Sequence, residues 1–201
     1  MKSLFDFIVE PLKSQYNNEI KVGDKSLVTN ADLENFRAVS NMAKVISIPL
    51  AYKTNISEGD IIIIHHNVFR TFRDIRGKQK TSRSKFTENL YFVAMDQVYM
   101  YKNNKKWNTI NNRCFVKPLL SDNDLTLNKE RELIGILKYG NSSLEALKIT
   151  PGDMIGYTPD GEYEFFIDGE RLYCMKSNDI VIKYEHQGDE VEYNPSWAKS
   201  S

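Results

Sequence analysis

The chain of 201 residues has no net charge, because 27 Lys and Arg residues balance 27 Asp and Glu residues. Global electrostatics therefore favours neither nucleic acid nor a membrane surface, and any electrostatic function has to be local. Long apolar runs are missing too: no stretch approaches the roughly 18 residues of a membrane-spanning helix. The start, Met1-Lys2-Ser3-Leu4-Phe5-Asp6-Phe7-Ile8-Val9-Glu10-Pro11, meets acids and a proline too early for a secretory signal. These absences lead to the expectation of a soluble, non-secreted, cytoplasmic protein. Cysteine is scarce, with only Cys114 and Cys174. Both sit inside apolar strand patterns, which fits reduced buried thiols better than a disulfide.

Catalytic signatures are also lacking. The sequence contains no phosphate-binding Walker loop, no dinucleotide fingerprint and no Gly-x-Ser-x-Gly elbow. Its three histidines are His65, His66 and His186, and the first two have no Cys, Asp or Glu at metal-ligand spacing beside them. Acid pairs such as Asp189-Glu190 fall in a polar tail and read as solvated. The expectation is a binding or assembly protein that is not an enzyme and needs no metal or cofactor.

What the chain does have is an internal repeat, and a repeat decides architecture before any single residue does. Each copy opens on a strand, Ile8-Val9-Glu10-Pro11-Leu12 in the first and Phe115-Val116-Lys117-Pro118-Leu119 in the second. A short apolar strand follows, Val45-Ile46-Ser47-Ile48 or Leu133-Ile134-Gly135-Ile136-Leu137. Next comes a Gly-Asp turn, Gly59-Asp60 or Gly152-Asp153, leading into Ile61 to Ile64 or Met154 to Tyr157. The closing segments are Leu90 to Tyr99 and Leu172 to Val181. Glycine admits the positive φ of such a turn, and aspartate accepts from following amides, so both pairs read as structural signals.

Short runs of β-branched and aromatic residues separated by Gly, Asn, Asp and Pro predict an all-β fold. The exceptions are Thr29 to Val39, where a cap residue precedes acids and an apolar stripe, and Ser142 to Leu147, which predicts a single helical turn. The expected domains are residues 1–103, with long inserts, and 113–186, followed by an acidic and aromatic tail over 187–201. The copies differ most in their loops. The first spends Lys13 to Lys44 between its opening strands and the second only Leu120 to Glu132, and the first also has a longer hairpin between Asn67 and Asn89. Loops tolerate change that a sheet does not, so function is expected there. Tyr193 and Trp197 in the tail predict that it docks on something.

From Ile149-Thr150-Pro151-Gly152-Asp153-Met154-Ile155-Gly156-Tyr157 through Gly169-Glu170-Arg171-Leu172-Tyr173-Cys174-Met175-Lys176-Ser177-Asn178-Asp179-Ile180-Val181, the second copy resembles the C-terminal half of the GroES-type co-chaperonins. Val116-Lys117-Pro118-Leu119 is similar to that family's opening strand, and the first copy shows the same landmarks with longer inserts. The composition is similar to the diverged versions carried by T4-like phages. The resemblance implies two tandem, partly open GroES-like β-barrels, with a short helical turn in the first, assembling as a homo-oligomeric ring. It also implies a GroEL-type host chaperonin as partner and a phage protein such as the capsid protein as client, in the host cytoplasm.

In that family a loop between the first two strands carries an apolar triplet that grips the chaperonin. The matching positions are Ser26, Leu27 and Val28 in the first copy and Leu125, Thr126 and Leu127 in the second. The family's glycine-rich flanks are absent apart from Gly23, and ordinary packing is the competing reading for Leu27 and Val28. Between Val68 and Phe86 the longer hairpin gathers Arg70, Arg73, Arg76, Lys78, Lys80, Arg83 and Lys85 with one acid, Asp74, among Phe69, Phe72 and Phe86. Family placement would put such hairpins around a central opening, where nucleic acid phosphates are a natural partner. A solvated tip is the alternative. A second function therefore stands beside the first: a structural ring in a virion neck or tail with basic loops facing a channel.

Overall fold

A computed structural model describes residues 2–16, 19–22, 25–28, 39–121, 130–185 and 192, with 19–22 and 25–28 described as backbone alone. The chain divides into two compact units, Met1–Asn108 and Thr109–Ser201. Both are built from antiparallel strands, and the fold is all-β.

In the first unit the strands are β1 (Phe7–Pro11), β2 (Glu19–Val22), β3 (Lys25–Val28), β4 (Met42–Ser47), β5 (Ile61–Ile64), β6 (Thr71–Arg73), β7 (Gln79–Thr81), β8 (Tyr91–Val93), β9 (Val98–Asn103) and β10 (Lys106–Thr109). The second has β11 (Arg113–Leu120), β12 (Glu130–Tyr139), the helical turn α1 (Ser142–Ala146), β13 (Met154–Tyr157), β14 (Tyr163–Ile167), β15 (Glu170–Lys176) and β16 (Ile180–Lys183). Asn141 caps α1 by accepting from the amides of Ser143 and Leu144, and the turn falls within the Ser142 to Leu147 run expected to be helical. Residues 29–38 of the other expected helix lie outside the described residues, and its last residue, Val39, is bridged to Tyr16 as extended chain. No helix among the described residues is long and apolar enough to cross a membrane.

The two main sheets share a connectivity. Their orders are β10-β9-β5-β4-β1-β8 and β14-β15-β11-β12-β13-β16. Five strands recur with the same neighbours, β8-β1-β4-β5-β9 in one and β15-β11-β12-β13-β16 in the other. The sixth strand is added at opposite ends. Fine structure recurs as well. The β1–β4 ladder shifts register between Ile8 and Val9, and the β11–β12 ladder between Phe115 and Val116. The Gly59 amide donates to Val45 O, and Gly152 to Leu137 O, each at 2.8 Å. Asp60 Oδ2 accepts from Ser57 N at 2.8 Å, and Asp153 Oδ2 from Thr150 N at 2.7 Å. Gly59 and Gly152 have φ of +90° and +99°, which a side chain would strain.

These matches fix a register that the two apolar runs left open: Val45, paired with Val9, corresponds to Leu137, paired with Val116, at the end of the Leu133 to Leu137 run. Leu133 lies at φ +58° and is 36% exposed, so the start of that run faces outward. Its neighbour Gly135 pairs with Pro118 where Ala43 pairs with Pro11. A Cβ on Gly135 would come within 2.5 Å of Lys117 O, so here the sheet has no room for a side chain.

Inward-facing residues alternate as a half-buried sheet requires, as in β4, where Ala43, Val45 and Ser47 are buried and Lys44 is exposed. In the second unit Cys114, Val116, Leu137, Leu144, Ile149, Ile155, Tyr157, Tyr173 and Met175 form one core cluster. Full burial of each aliphatic chain contributes about 1.5–3 kcal/mol. Cys114 and Cys174 are both free and buried, and burial pushes both thiols up to about 12.

Candidate functional site

The basic hairpin is rooted in the first unit's core. After β5, His65 Nδ1 accepts from Asn67 N at 3.1 Å and caps a short 3-10 turn, His66–Val68. Val68 and Phe69 are fully buried, and the Phe69 ring meets Tyr91 edge-on at 4.8 Å. His66 is pushed down to about 4, first by burial and then by His65 and Arg70, so it is neutral at physiological pH. The chain then leaves the core as β6, turns, and returns as β7, with Thr71 opposite Thr81, Phe72 opposite Lys80 and Arg73 opposite Gln79.

The turn is held by Asp74, the one acid between Val68 and Phe86. Asp74 Oδ1 accepts from the amides of Arg76 and Lys78, each at 2.9 Å, and Gly77 closes the turn at φ +74°. That carboxylate faces backbone amides, and no ion pair among the described residues involves Arg70, Arg73, Arg76, Lys78, Lys80, Arg83 or Lys85. Arg73, Arg76, Lys78, Lys80 and Arg83 are exposed, whereas Arg70 and Lys85 are half-buried. Ile75 stands at the tip with its whole surface in solvent (104%). Phe72 is exposed beside Lys80, and Phe86 leans on Phe92 with ring centroids 4.9 Å apart.

The other candidate element is the insertion between β1 and β4. Its two legs are joined where Tyr16 bridges Val39 and Ser40 N donates to Gln15 O at 3.0 Å. Within it β2 pairs with β3, so Ser26, Leu27 and Val28 lie opposite Lys21, Ile20 and Glu19 on a hairpin. Leu125, Thr126 and Leu127 lie outside the described residues, as do Tyr193 and Trp197 of the tail.

The two elements share a root, which sequence reasoning missed. Gln15 Nε2 donates to Phe69 O and, at 3.2 Å, to Thr71 Oγ1, while Thr71 N donates to Tyr16 OH at 2.8 Å. Gln15 and Tyr16 therefore brace the base of the basic hairpin from the neck of the insertion. A Gln-Tyr pair in a polar stretch carries no signal for contacts more than fifty residues away.

In the second unit several charged groups are paired with one another. Arg171 Nε donates to Glu164 Oε1 at 2.6 Å and Nη1 to Glu130, while Tyr173 OH donates to Glu130 Oε1 at 2.7 Å. Burial and then Glu130 push the Tyr173 phenol upward, so it stays protonated. Lys117 Nζ lies between Glu170, at 3.2 Å, and Glu192, at 2.5 Å. Burial opposes its charge, but hydrogen bonds to these two carboxylates outweigh it and raise the ammonium. One cluster ties β12, β14 and β15 together, and the other ties β11 to β15 and to Glu192. Among the described residues no group of three His, Cys, Asp or Glu gathers as a metal site would need. In comparisons with known proteins, no family model and no curated protein matches this chain.

Proposed function

We propose that this chain is a ring-forming assembly protein of the co-chaperonin type, which caps a GroEL-type host chaperonin while phage proteins such as the capsid protein fold. The observation that carries the reading is the duplication. Five strands recur in one neighbour order, each copy has its insertion between its first two strands, and in the GroES family that insertion grips the chaperonin. In this reading each copy is a GroES-like, partly open barrel. Leu27 and Val28 are the apolar contacts in the first copy, and Leu125 and Leu127 in the second. Each contact is weak alone, and a ring multiplies them through avidity.

Replacing Leu27 and Val28 with Ser is expected to abolish nucleotide-dependent capture by a purified chaperonin while the circular dichroism of the sheets is unchanged. Undiminished capture by the folded variant would remove this hairpin from the interface.

A second reading draws on the basic hairpin: a structural ring of a virion neck or tail whose hairpins face a channel. Five exposed basic side chains with no described ion pair, next to an acid consumed by its own turn, favour a polyanion at that place.

A further inference from the structure

We propose that the β6–β7 hairpin is a duplex-DNA wedge, in which the basic side chains hold phosphates on both sides of a minor groove and Ile75 presses between base steps. The inference rests on the second reading, in which this hairpin meets nucleic acid, and names the form of nucleic acid and the mode of contact. Three features converge on it.

The charge is arranged along the ribbon. Arg73, Arg76, Lys78 and Lys80 surround the outer half, and Arg70, Arg83 and Lys85 stand at the base, so positive charge runs the ribbon's length of about 10 Å. That length is comparable to the depth of a DNA groove, charges on both strands suit two facing rows of phosphates, and a minor groove about 6 Å wide would take the ribbon only where unstacking at the wedge opens it. A flat anionic bilayer would meet only the charges near the tip.

The tip itself is apolar. Ile75 is wholly solvent-exposed on a turn locked by Asp74 and Gly77, so its position is set before any partner arrives. A single aliphatic side chain on a rigid basic ribbon has the form of the wedges that minor-groove proteins insert between base steps, unstacking them and kinking the duplex. Single-strand binding needs aromatic faces for stacking. At the tip the wholly exposed side chain is the aliphatic Ile75, whereas Phe72 and Phe86, 38% and 49% exposed, stand farther down the ribbon and Phe86 leans on Phe92.

The base is braced. Gln15 and Tyr16 fix Phe69 and Thr71, and Phe69 is buried against Tyr91, so force on the tip is carried into the core.

The test uses the full chain and a 40-base-pair duplex carrying dyes at both ends, with binding read by anisotropy and bending by energy transfer. Unmodified protein is expected to bind and bend the duplex, with a slope of log affinity against log salt of about −4. Ile75→Ala, at a fully exposed position, is expected to abolish the bend and weaken binding about tenfold while leaving the salt slope unchanged. The triple variant Arg73→Glu, Arg76→Glu, Lys78→Glu is expected to lose binding. If Ile75→Ala binds and bends as the unmodified protein does, the wedge is overturned and a purely electrostatic basic loop remains. Absence of duplex binding at low salt would overturn both. Tighter binding to single-stranded DNA or to anionic vesicles of phosphatidylserine and phosphatidylcholine would also refute the proposal.

Discussion

Asp153 illustrates how one side chain ties a local turn to distant structure. Its Oδ2 accepts from Thr150 N and from Lys183 Nζ, each at 2.7 Å. The Lys183 hydrogen bond, and then that from Thr150, hold its carboxyl below the ordinary 3.8. A carboxyl depressed in the folded state contributes stability that is complete above its unfolded value and disappears as pH falls through the lowered native value. Asp153→Asn is therefore expected to cost about 1 kcal/mol in urea denaturation at pH 7. The gap should narrow below pH 3.8 as the unmodified carboxyl protonates. A gap that stays constant into acid would show that the charge is irrelevant to the turn. The Gly-Asp turn was legible because glycine and aspartate act locally, but the direction was not: Asp60 and Asp153 accept from Ser57 N and Thr150 N, three residues before them, and not from following amides as expected. Lys183 was not legible, since its partner is thirty residues away and reaches it only once β13 and β16 have paired.

Among elements, the clearest relation is the one between the insertion and the basic hairpin. Thr71 is 4% exposed, and its amide is paired with Tyr16 OH. Tyr16→Phe keeps the ring and removes that acceptor, leaving a buried amide unpartnered at a cost of about 1–3 kcal/mol locally. Hydrogen exchange at the Thr71 amide is expected to accelerate roughly tenfold or more, while the amides of Ile62 and Ile63 in β5 keep their protection. Unchanged exchange at Thr71 would mean that the hairpin is anchored by Phe69 alone. Strand positions were readable at this scale because β-branched runs alternate in and out, as Ala43, Val45 and Ser47 do. Register was less readable. The run from Leu133 looked uniformly apolar, but the positive φ at Leu133 turns it out of the core, and an apolar run alone does not reveal a bulge. The seven basic residues were visible as a cluster, whereas the isolation of Ile75 at the tip depends on the turn geometry that Asp74 builds.

For the whole molecule, duplication is the property from which the rest follows. The first three landmarks stand side by side in chain order, β1-β4-β5 and β11-β12-β13, whereas the closing segment splits, β8 and β15 pairing back on the opening strand and β9 and β16 on the Gly-Asp strand. What the sequence could not show is that the sixth strand joins at opposite ends, β10 next to β9 in the first unit and β14 next to β15 in the second. The sixth strand therefore leaves the two sheets with different edge strands, β10 and β8 in the first unit and β14 and β16 in the second. A tandem chain also constrains a ring. In the proposed ring, whole chains laid side by side would always place an even number of units in one tier, whereas one unit per tier would leave the chain number free.

The most direct test is size-exclusion chromatography with light scattering on the purified full chain, alone and with a GroEL-type chaperonin and nucleotide. The account expects a closed oligomer that co-elutes with the chaperonin only when nucleotide is present. An oligomer or monomer whose elution ignores the chaperonin under every nucleotide condition would contradict the co-chaperonin function.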